Sequence, residues 1–183
     1  MSLGEVSEKR ADYGLEDAKS AWAGTLASLG DEQRARHALA IGAMVRGIAA
    51  DGAISAEALG TQLGLEPERV SELLVGLSAL GIEIGAEGTI FGAALTSTKT
   101  THVIRLGARE LFAWCALDTL FIPGLVGEPA DVESTCPVSG EPIRLRISPD
   151  GACEYSPDGA VLSVVLPGVS GGSGLQAGPA SPT

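Results

Sequence analysis

The chain has 183 residues, of which 45% are hydrophobic and 19% charged, and its formal net charge is −11 at pH 7. This composition is typical of a globular protein rather than of a disordered or fibrous one. A polyanion is a poor ligand for nucleic acid phosphates and acidic lipid surfaces. The apolar runs are too short to span a bilayer, and residues 1–17 lack the apolar stretch of a secretory signal. The sequence therefore predicts a cytoplasmic protein that binds neither nucleic acid nor membrane.

The first helices are predicted from hydrophobic periodicity. Residues 1–32 are polar and rich in alanine, and we expect an N-terminal extension that holds a short helix over Lys19–Leu29. From Gln33 apolar residues recur at steps of three and four as far as Asp51-Gly52. This pattern predicts a long helix that ends at the Asp-Gly pair.

Two further helices and a hairpin are predicted to follow. Ser55 is a suitable N-cap for a helix over Ala56–Leu63, which the next glycine would end. Pro67 suits the first turn of a third helix. A four-residue turn then separates two short apolar segments, which predicts a β-hairpin. The two segments are Ile82-Glu83-Ile84 and Thr89-Ile90-Phe91.

Three helices followed by a hairpin are the outline of a winged helix, and we predict such a helical subdomain over residues 33–100. A winged helix can bind DNA through its third helix. Here that helix begins Pro67-Glu68-Arg69-Val70-Ser71-Glu72 and is preceded by Glu66. One arginine among three glutamates is a poor match for phosphates, which favours a structural role. A winged-helix regulator stays an alternative.

The second half of the chain is predicted to be rich in β-structure. Thr101–Leu106 is β-branched and predicts a strand, whereas Arg109–Leu120 has the composition of a buried helix that Pro123-Gly124 would end. Strong turn sequences then separate three further predicted strands, Val132–Cys136, Ile143–Ile147 and Val161–Leu166. The predicted fold class is α+β: a winged-helix-like helical N-terminal part, then a small, mostly antiparallel sheet with one buried helix.

The composition changes sharply after Pro167. Residues 101–167 are predicted to be a β-rich core. Residues 168–183 consist mainly of Gly, Ser, Ala and Pro and cannot bury enough surface to offset their chain entropy. We therefore expect a disordered tail over residues 168–183.

The cysteines and histidines exclude two kinds of stabilising site. The cysteines are Cys115, Cys136 and Cys153, an odd number without a C-x-x-C pair. The two histidines, His37 and His102, are far apart in sequence and are expected to pack or to face solvent. Neither a disulfide framework nor a structural zinc site is therefore predicted.

Cys115 and Asp118 are the first candidates for chemistry. Positions i and i+3 lie on the same face of a helix, so a thiol and a carboxyl so placed can share a proton. A soft thiolate binds soft metals, and the displaced proton needs an acceptor. The bland alternative is that Cys115 is a core residue, since cysteine is often buried, and the residues alone favour that alternative. Asp118 favours a functional site, because burying a carboxyl in an apolar helix costs free energy that a purely structural role does not explain.

The segment Trp114-Cys115-Ala116-Leu117-Asp118 resembles the organomercurial (alkylmercury) lyase family. The similar stretch covers about Gly88–Pro167 and includes Val132–Cys136 and Val161–Pro167. Weaker similarity reaches back to Arg36, where the family also has a winged-helix-like part. The resemblance implies an α+β enzyme that splits the carbon–mercury bond of alkyl- and arylmercury compounds.

The resemblance also implies roles for individual residues. Cys115 would be the catalytic cysteine that binds mercury, and Asp118 would relay the proton onto the leaving carbon. Cys136 would be a structural cysteine. No cofactor is expected, external thiols such as glutathione or cysteine would support turnover, and Hg(II) would pass to mercuric reductase.

The chain departs from the family pattern at a second catalytic cysteine, which the family carries downstream of the strand matching Val161–Leu166. Here Gly168-Val169-Ser170-Gly171-Gly172 follows, and Cys153 is a remote candidate for the second thiol. Two hypotheses follow: a truncated or frame-shifted lyase with impaired activity, or an external thiol that replaces the missing ligand. The alternative function is a family member that binds mercury without cleaving its bond to carbon.

Overall fold

The computed structural model describes residues 30–78, 80–151 and 153–162. From Asp31 on, these residues belong to one compact unit. The predicted helix Lys19–Leu29, most of the predicted strand Val161–Leu166 and the predicted tail 168–183 lie outside the described residues.

Three helices open the described part, as the sequence predicts. Helix α1 spans Asp31–Asp51, α2 spans Ala56–Leu63 and α3 spans Pro67–Ser78. The Oγ of Ser55 accepts a hydrogen bond from the Ala58 N–H at 3.0 Å, which confirms the predicted N-cap. Gly64 ends α2 in the left-handed region at φ 64°, where glycine has no steric penalty.

Within the described residues, the strands form one antiparallel sheet of nine strands in the order β1-β3-β4-β6-β5-β7-β8-β9, with β2 also paired to β3. The predicted hairpin is confirmed as β2 and β3, and the predicted strands at 101–106, 132–136 and 143–147 are confirmed as β5, β7 and β8 within two residues. The strands are β1 (Ile54–Ser55), β2 (Glu83–Ile84), β3 (Thr89–Ala93), β4 (Leu95–Thr96), β5 (His102–Leu106), β6 (Arg109–Ala113), β7 (Ala130–Thr135), β8 (Pro142–Ile147) and β9 (Cys153–Ser156).

One face of the sheet is buried and the other is exposed. Helix α1 packs against β3 and β4, and helix α4 (Ala116–Val126) packs against β5, β6, β7 and α1. The central strands therefore place every second side chain in the core, as strand alternation requires. These core residues are Ile104, Leu106, Leu111, Ala113, Ala130 and Val132. Ion pairs cross the opposite face, among them Arg105–Glu110, Arg144–Glu133 and Arg146–Asp131.

The predicted helix over Arg109–Leu120 is wrong in its first half. Arg109–Ala113 is strand β6, hydrogen-bonded to β4 on one side and β5 on the other. Leu111 and Ala113 are buried while Glu110 is exposed, so this segment follows the period of two that is typical of a half-buried strand. The alternation is not visible in the sequence, because Phe112 is apolar although it stands between the two buried residues.

Helix α4 also extends past its predicted end and is less buried than predicted. Pro123 lies inside the helix, which continues to Val126 and ends at Gly127 with φ 81°. Leu120 and Phe121 remain 37% and 40% exposed, whereas Ile122 is fully buried. The helix therefore covers the sheet with one side only.

The end of the predicted sheet needs a second correction. Val161 and Leu162, predicted to begin a strand, belong to no strand. Among the described residues the last strand is β9, which the sequence did not predict, and it pairs with β8 as a hairpin across the Pro149-Asp150-Gly151 turn. The sheet is also larger than predicted, since it continues through β1–β4 on the N-terminal side of residue 100.

Within the described residues, every helix is too short or too polar to cross a membrane.

Candidate active site

The candidate residues lie at one end of the central strands, where β5 begins and where β6 and β7 end. His102, the first residue of β5, pairs with Ala113 of β6 on one side and with Ser134 of β7 on the other. Helix α4 begins three residues after Ala113, with Cys115 as its N-cap. The Trp114 N–H donates to the Ala94 carbonyl at 3.0 Å, which fixes the chain just before the cysteine.

Cys115 and Asp118 are joined by a capping box. Cys115 has an extended backbone (φ −143°, ψ 167°), and its N–H donates to Oδ2 of Asp118 at 2.9 Å. The N–H of Asp118 in turn donates to the Cys115 thiol. Serine or threonine usually takes the N-cap position of such a box. The structure thus brings the two predicted residues together, with Cys115 at the helix cap rather than inside the helix.

The thiol is reachable from solvent, whereas the carboxyl is half-buried. Burial raises the pKa of Asp118, although hydrogen bonds from Cys115 and the charge of His102 oppose that rise. Burial also raises the pKa of the Cys115 thiol, as does the neighbouring carboxylate, while the backbone N–H groups of Asp118 and Leu117 act in the opposite direction. Cys115 therefore holds its proton near neutral pH, beside a carboxyl with more than ordinary affinity for one.

Sequence reasoning missed His102 as a member of this site. Its ring is half-buried, and Nδ1 lies 2.9 Å from the hydroxyl of Ser134. Asp118 is close enough for the two charges to interact, and burial lowers the pKa of His102. Strand alternation could have indicated that His102 shares a face with Ile104 and Leu106. Its proximity to Asp118 depends on the pairing of β5 with β6, which no local pattern reveals.

Cys136, predicted to be structural, directly follows β7, at the same end of the central strands as His102. It is half-buried rather than fully buried, and its Sγ accepts the Ser139 N–H at 3.5 Å. Hydrogen bonds from Ser139 and from the Val138 N–H lower the pKa of this thiol. The Cys136 N–H donates to the Glu141 carbonyl, and the Gly140 N–H donates to the Cys136 carbonyl. These bonds close a tight loop, but the structural role stays a prediction.

The structure does not bring Cys153 to Cys115. Cys153 pairs with Ile147, in the row of Leu106 and Ala130 at the opposite end of the strands from His102 and Ala113. Four strand spacings and four residues separate Ala113 from Cys153, which amounts to roughly 23 Å. Cys153 is exposed on the last strand and is too far away to share a ligand with Cys115 in the same chain.

Across the described residues, no three His, Cys, Asp or Glu side chains gather as a set that could hold a resident metal ion. The arrangement suits a soft metal that arrives as part of a substrate, because a thiol alone can bind it and the carboxyl can take the thiol proton.

Comparisons with known proteins agree with this chemistry. The family model for alkylmercury lyase (MerB) matches residues 95–174, which include Cys115 and Asp118. The chain is 40% identical over 117 residues to the alkylmercury lyase of Pseudomonas putida, covering 64% of this chain and 54% of that protein. It is 38% identical over 120 residues to the alkylmercury lyase of Bacillus cereus, covering 66% and 54%. The chain thus spans about half the length of these curated relatives.

A solved structure has a similar fold. It is described as the mercury-bound form of MerB2 and superposes with a TM-score of 0.58 at 28% sequence identity. The similarity covers 78% of this chain and 68% of that one.

Proposed function

We propose that the chain, whose residues 95–174 match the family model for alkylmercury lyase, cleaves the carbon–mercury bond of alkyl- and arylmercury compounds by protonolysis. The products would be a hydrocarbon and Hg(II), as mercury detoxification requires. The observation that carries this proposal is the capping box, since it holds a solvent-reachable thiol against a half-buried carboxyl.

In the first step, the sulfur of Cys115 bonds to mercury and displaces the ligand that the metal carried opposite its organic group. The thiol proton passes to the carboxylate of Asp118. The capping hydrogen bond keeps the two groups within one helical turn, so no rearrangement of the backbone is needed. Binding of a metal to a thiol requires loss of this proton, which is why the neighbouring acceptor matters.

In the second step, Asp118 donates that proton to the carbon bound to mercury. The carbon–mercury bond breaks, its electron pair stays with carbon to form the new C–H bond, and the hydrocarbon leaves. Burial favours the neutral carboxylic acid that waits for this step. Hg(II) remains on Cys115, and Asp118 is again ionised.

External thiols would complete the cycle. One thiolate, from glutathione or cysteine, completes the linear coordination of Hg(II) on Cys115, and a second displaces Cys115 and releases the ion. We propose no other cofactor. The released ion would pass to mercuric reductase in the cytoplasm.

We also propose that residues 33–100 are a winged-helix-like subdomain attached to a catalytic core over residues 101–167, with an extension over 1–32 and a tail over 168–183. The order of α1, α2, α3 and the β2–β3 hairpin supports the first part. Limited proteolysis of the intact chain tests the boundary. We expect early cleavage near Lys99 in the exposed connection before β5, and a first cut inside α1 or β7 would contradict the division.

Benzene release from phenylmercury with excess external thiol tests the activity. We expect turnover by the wild-type chain and its loss in Cys115→Ser and in Asp118→Ala. Cys153→Ser is the matched control, because this thiol is exposed and distant, and we expect it to turn over like the wild type. Retained turnover in either site variant contradicts the roles assigned.

The same assay decides between cleavage and mere binding. If the wild-type chain retains Hg(II) stoichiometrically but releases no benzene under any thiol concentration, the chain is a mercury-binding member of the family and the proposal fails.

A further inference from the structure

Cys136 lies on the same face of the sheet as Cys115, at the same end of the central strands. Strand β7 alternates between a buried face, which carries Val132 and Ser134, and a more exposed face. The alternation continues to Cys136, because its N–H donates to the Glu141 carbonyl at 2.9 Å and so extends the β7–β8 ladder by one residue. Cys136 therefore stands on the face that α4 covers, and Cys115 is the N-cap of α4.

Strand pairing places the two cysteines at the same level along the strands. Ala113 and Ser134 lie opposite His102 on its two sides, so their Cα atoms are two strand spacings, or roughly 10 Å, apart. β6 and β7 run in the same direction, since both are antiparallel to β5. Each cysteine lies two residues beyond the member of this row on its own strand, and the backbone of Cys115 is still extended. The Cα atoms of Cys115 and Cys136 are therefore also about 10 Å apart.

This spacing suits a metal bridge rather than a disulfide. Two cysteines joined by a disulfide have Cα atoms less than about 7 Å apart, and both of these thiols are free. A metal–thiolate bond is about 2.3 Å long for zinc and slightly longer for the larger Hg(II), so a linear S–Hg–S unit spans about 5 Å. With about 3 Å from each Cα to its sulfur, such a unit joins Cα atoms up to about 10 Å apart.

We propose that Cys136 is a second mercury-binding thiol, which takes the coordination place opposite Cys115 after the carbon–mercury bond has been cleaved. The inference deepens the proposed function and rests on it. A lone pair of the Cys136 sulfur forms the new S–Hg bond, the thiol proton passes to solvent, and mercury stays Hg(II) throughout. Cys136 fills this place before an external thiolate does, because it is held beside the ion, and external thiols then remove Hg(II) from the pair.

The surroundings of Cys136 favour such a bond. The Ser139 N–H donates to its Sγ at 3.5 Å, and hydrogen bonds from Ser139 and Val138 lower the pKa of this thiol. Thiolate is the form that binds a metal, so removal of the proton costs less here than at an ordinary cysteine. Asp118 lies near one thiol and Glu141 near the other, and the negative charge of both carboxylates attracts a divalent cation.

Differential alkylation with inorganic Hg(II) tests the pair without any lyase reaction. The reduced, intact chain is loaded with one equivalent of Hg(II), treated with iodoacetamide, stripped of mercury and labelled with N-ethylmaleimide in denaturant. Peptide mass spectrometry then reads which label each cysteine carries. We expect Hg(II) to protect Cys115 and Cys136 together and to leave Cys153 as reactive as in the mercury-free chain. Protection of any other set of cysteines overturns the proposal.

A bridge within one chain must be distinguished from a bridge between two chains. Cys153→Ser removes the exposed, distant thiol and is the matched control, in which we expect Cys115 and Cys136 to be protected as in the wild type. We also expect size-exclusion chromatography to show the same oligomeric state with and without Hg(II). Loss of Cys136 protection in Cys153→Ser, or an oligomer that forms only with Hg(II), means that mercury joins Cys136 to another chain and rejects the pair.

Cys136→Ser measures the contribution of the second thiol to mercury retention. Serine keeps an oxygen that can accept the Ser139 N–H, and thermal unfolding verifies that the variant folds. We expect the folded variant to lose Hg(II) at a glutathione concentration at least about tenfold lower than the wild type requires, because one of two linked bonds to the ion is missing. Equal retention by the two folded proteins contradicts the proposed role, and the alkylation pattern of the wild type decides the question if the variant does not fold.

Failure of this inference is distinguishable from failure of the proposed function. If Hg(II) protects both thiols but the wild-type chain releases no benzene from phenylmercury, the second thiol is confirmed and the lyase activity is rejected. If benzene is released while Cys136 stays fully reactive in the mercury-loaded chain, the lyase activity is confirmed and the second thiol is rejected.

Discussion

The backbone N–H of Cys115 donates to Oδ2 of Asp118 at 2.9 Å, so the carboxylate proposed to move the proton also caps the helix that carries it. The two functions can be separated by substitution. Asp118→Asn keeps an oxygen that accepts the Cys115 N–H but cannot relay a proton, whereas Asp118→Ala removes both. We expect both variants to lose turnover and only Asp118→Ala to lose about 1 kcal/mol of unfolding free energy, the usual size of a lost cap. Chemical denaturation near neutral pH measures the difference, and equal stability of the two variants contradicts the capping role.

The pH dependence of stability should reveal the raised pKa of Asp118. Its folded-state pKa lies above the ordinary value of 3.8, so the folded chain binds the proton more tightly than the unfolded chain. By linkage, the contribution of Asp118 is fully present below pH 3.8 and is lost as the pH rises through the folded-state pKa. We expect the wild type to lose stability relative to Asp118→Asn as the pH rises from about 4 towards neutral. Denaturation of both proteins across this range tests the sign of the effect. If the stability of the wild type relative to Asp118→Asn instead rises with pH, the folded-state pKa of Asp118 is lowered and not raised.

Arg109 ties three parts of the unit together, and its removal should be costly. Its guanidinium donates to the Ala49 carbonyl near the end of α1 and to Glu128 after α4 at 2.8 Å, while its Nε donates to the Leu106 carbonyl. We expect Arg109→Ala to lower the free energy of unfolding by about 1–3 kcal/mol, because several hydrogen bonds to a charged group disappear together. The matched control is Arg105→Ala. Its pair with Glu110 is about half exposed, and we expect a loss of about 0.5 kcal/mol or less. If Arg109→Ala and Arg105→Ala lose similar amounts of unfolding free energy, the hydrogen bonds of Arg109 do not stabilise the fold more than an exposed ion pair does.

Two glycines should respond to alanine in opposite directions. A Cβ on Gly92 would collide with the carboxylate of Glu83, which accepts the hydroxyl of buried Thr96 at 2.6 Å. We expect Gly92→Ala to displace Glu83 and to destabilise the fold by about 1–3 kcal/mol. Gly76 lies inside α3, where a Cβ would meet His37 at an ordinary 3.6 Å. Gly76→Ala should therefore stabilise the fold by about 0.5–1 kcal/mol, since glycine is a poor helix former. Thermal unfolding of the two variants checks both signs.

The sequence predicts local features of this fold better than it predicts pairing. Ser55 and Gly64 identify the ends of α2 because capping depends on residues within four positions. Strand β6 was mistaken for a helix because its identity depends on hydrogen bonds to β4 and β5, which are distant in sequence. His102 was missed for the same reason.

Cys115 and Asp118 were nevertheless predicted to lie together, although the predicted helix was wrong. A spacing of three residues brings two side chains together inside a helix, and the same spacing joins the N-cap to the third residue of the first turn. The predicted proximity of Cys115 and Asp118 is therefore correct, although the helix starts later than predicted.

Selective alkylation distinguishes the thiols by their protonation. The pKa of Cys115 is raised by burial and by Asp118, whereas hydrogen bonds from Ser139 and Val138 lower the pKa of Cys136. Thiolate is the reactive form, and below the pKa its fraction falls tenfold for each unit by which the pKa rises, which outweighs the greater intrinsic nucleophilicity of the more basic sulfur. We expect iodoacetamide near neutral pH to label Cys136 faster than Cys115. We also expect Asp118→Asn to speed labelling of Cys115, because a nearby negative charge disfavours its thiolate. Mass spectrometry of peptides quenched at early times measures both rates, and faster labelling of Cys115 than of Cys136 in the wild type would show that its proton is not held as described.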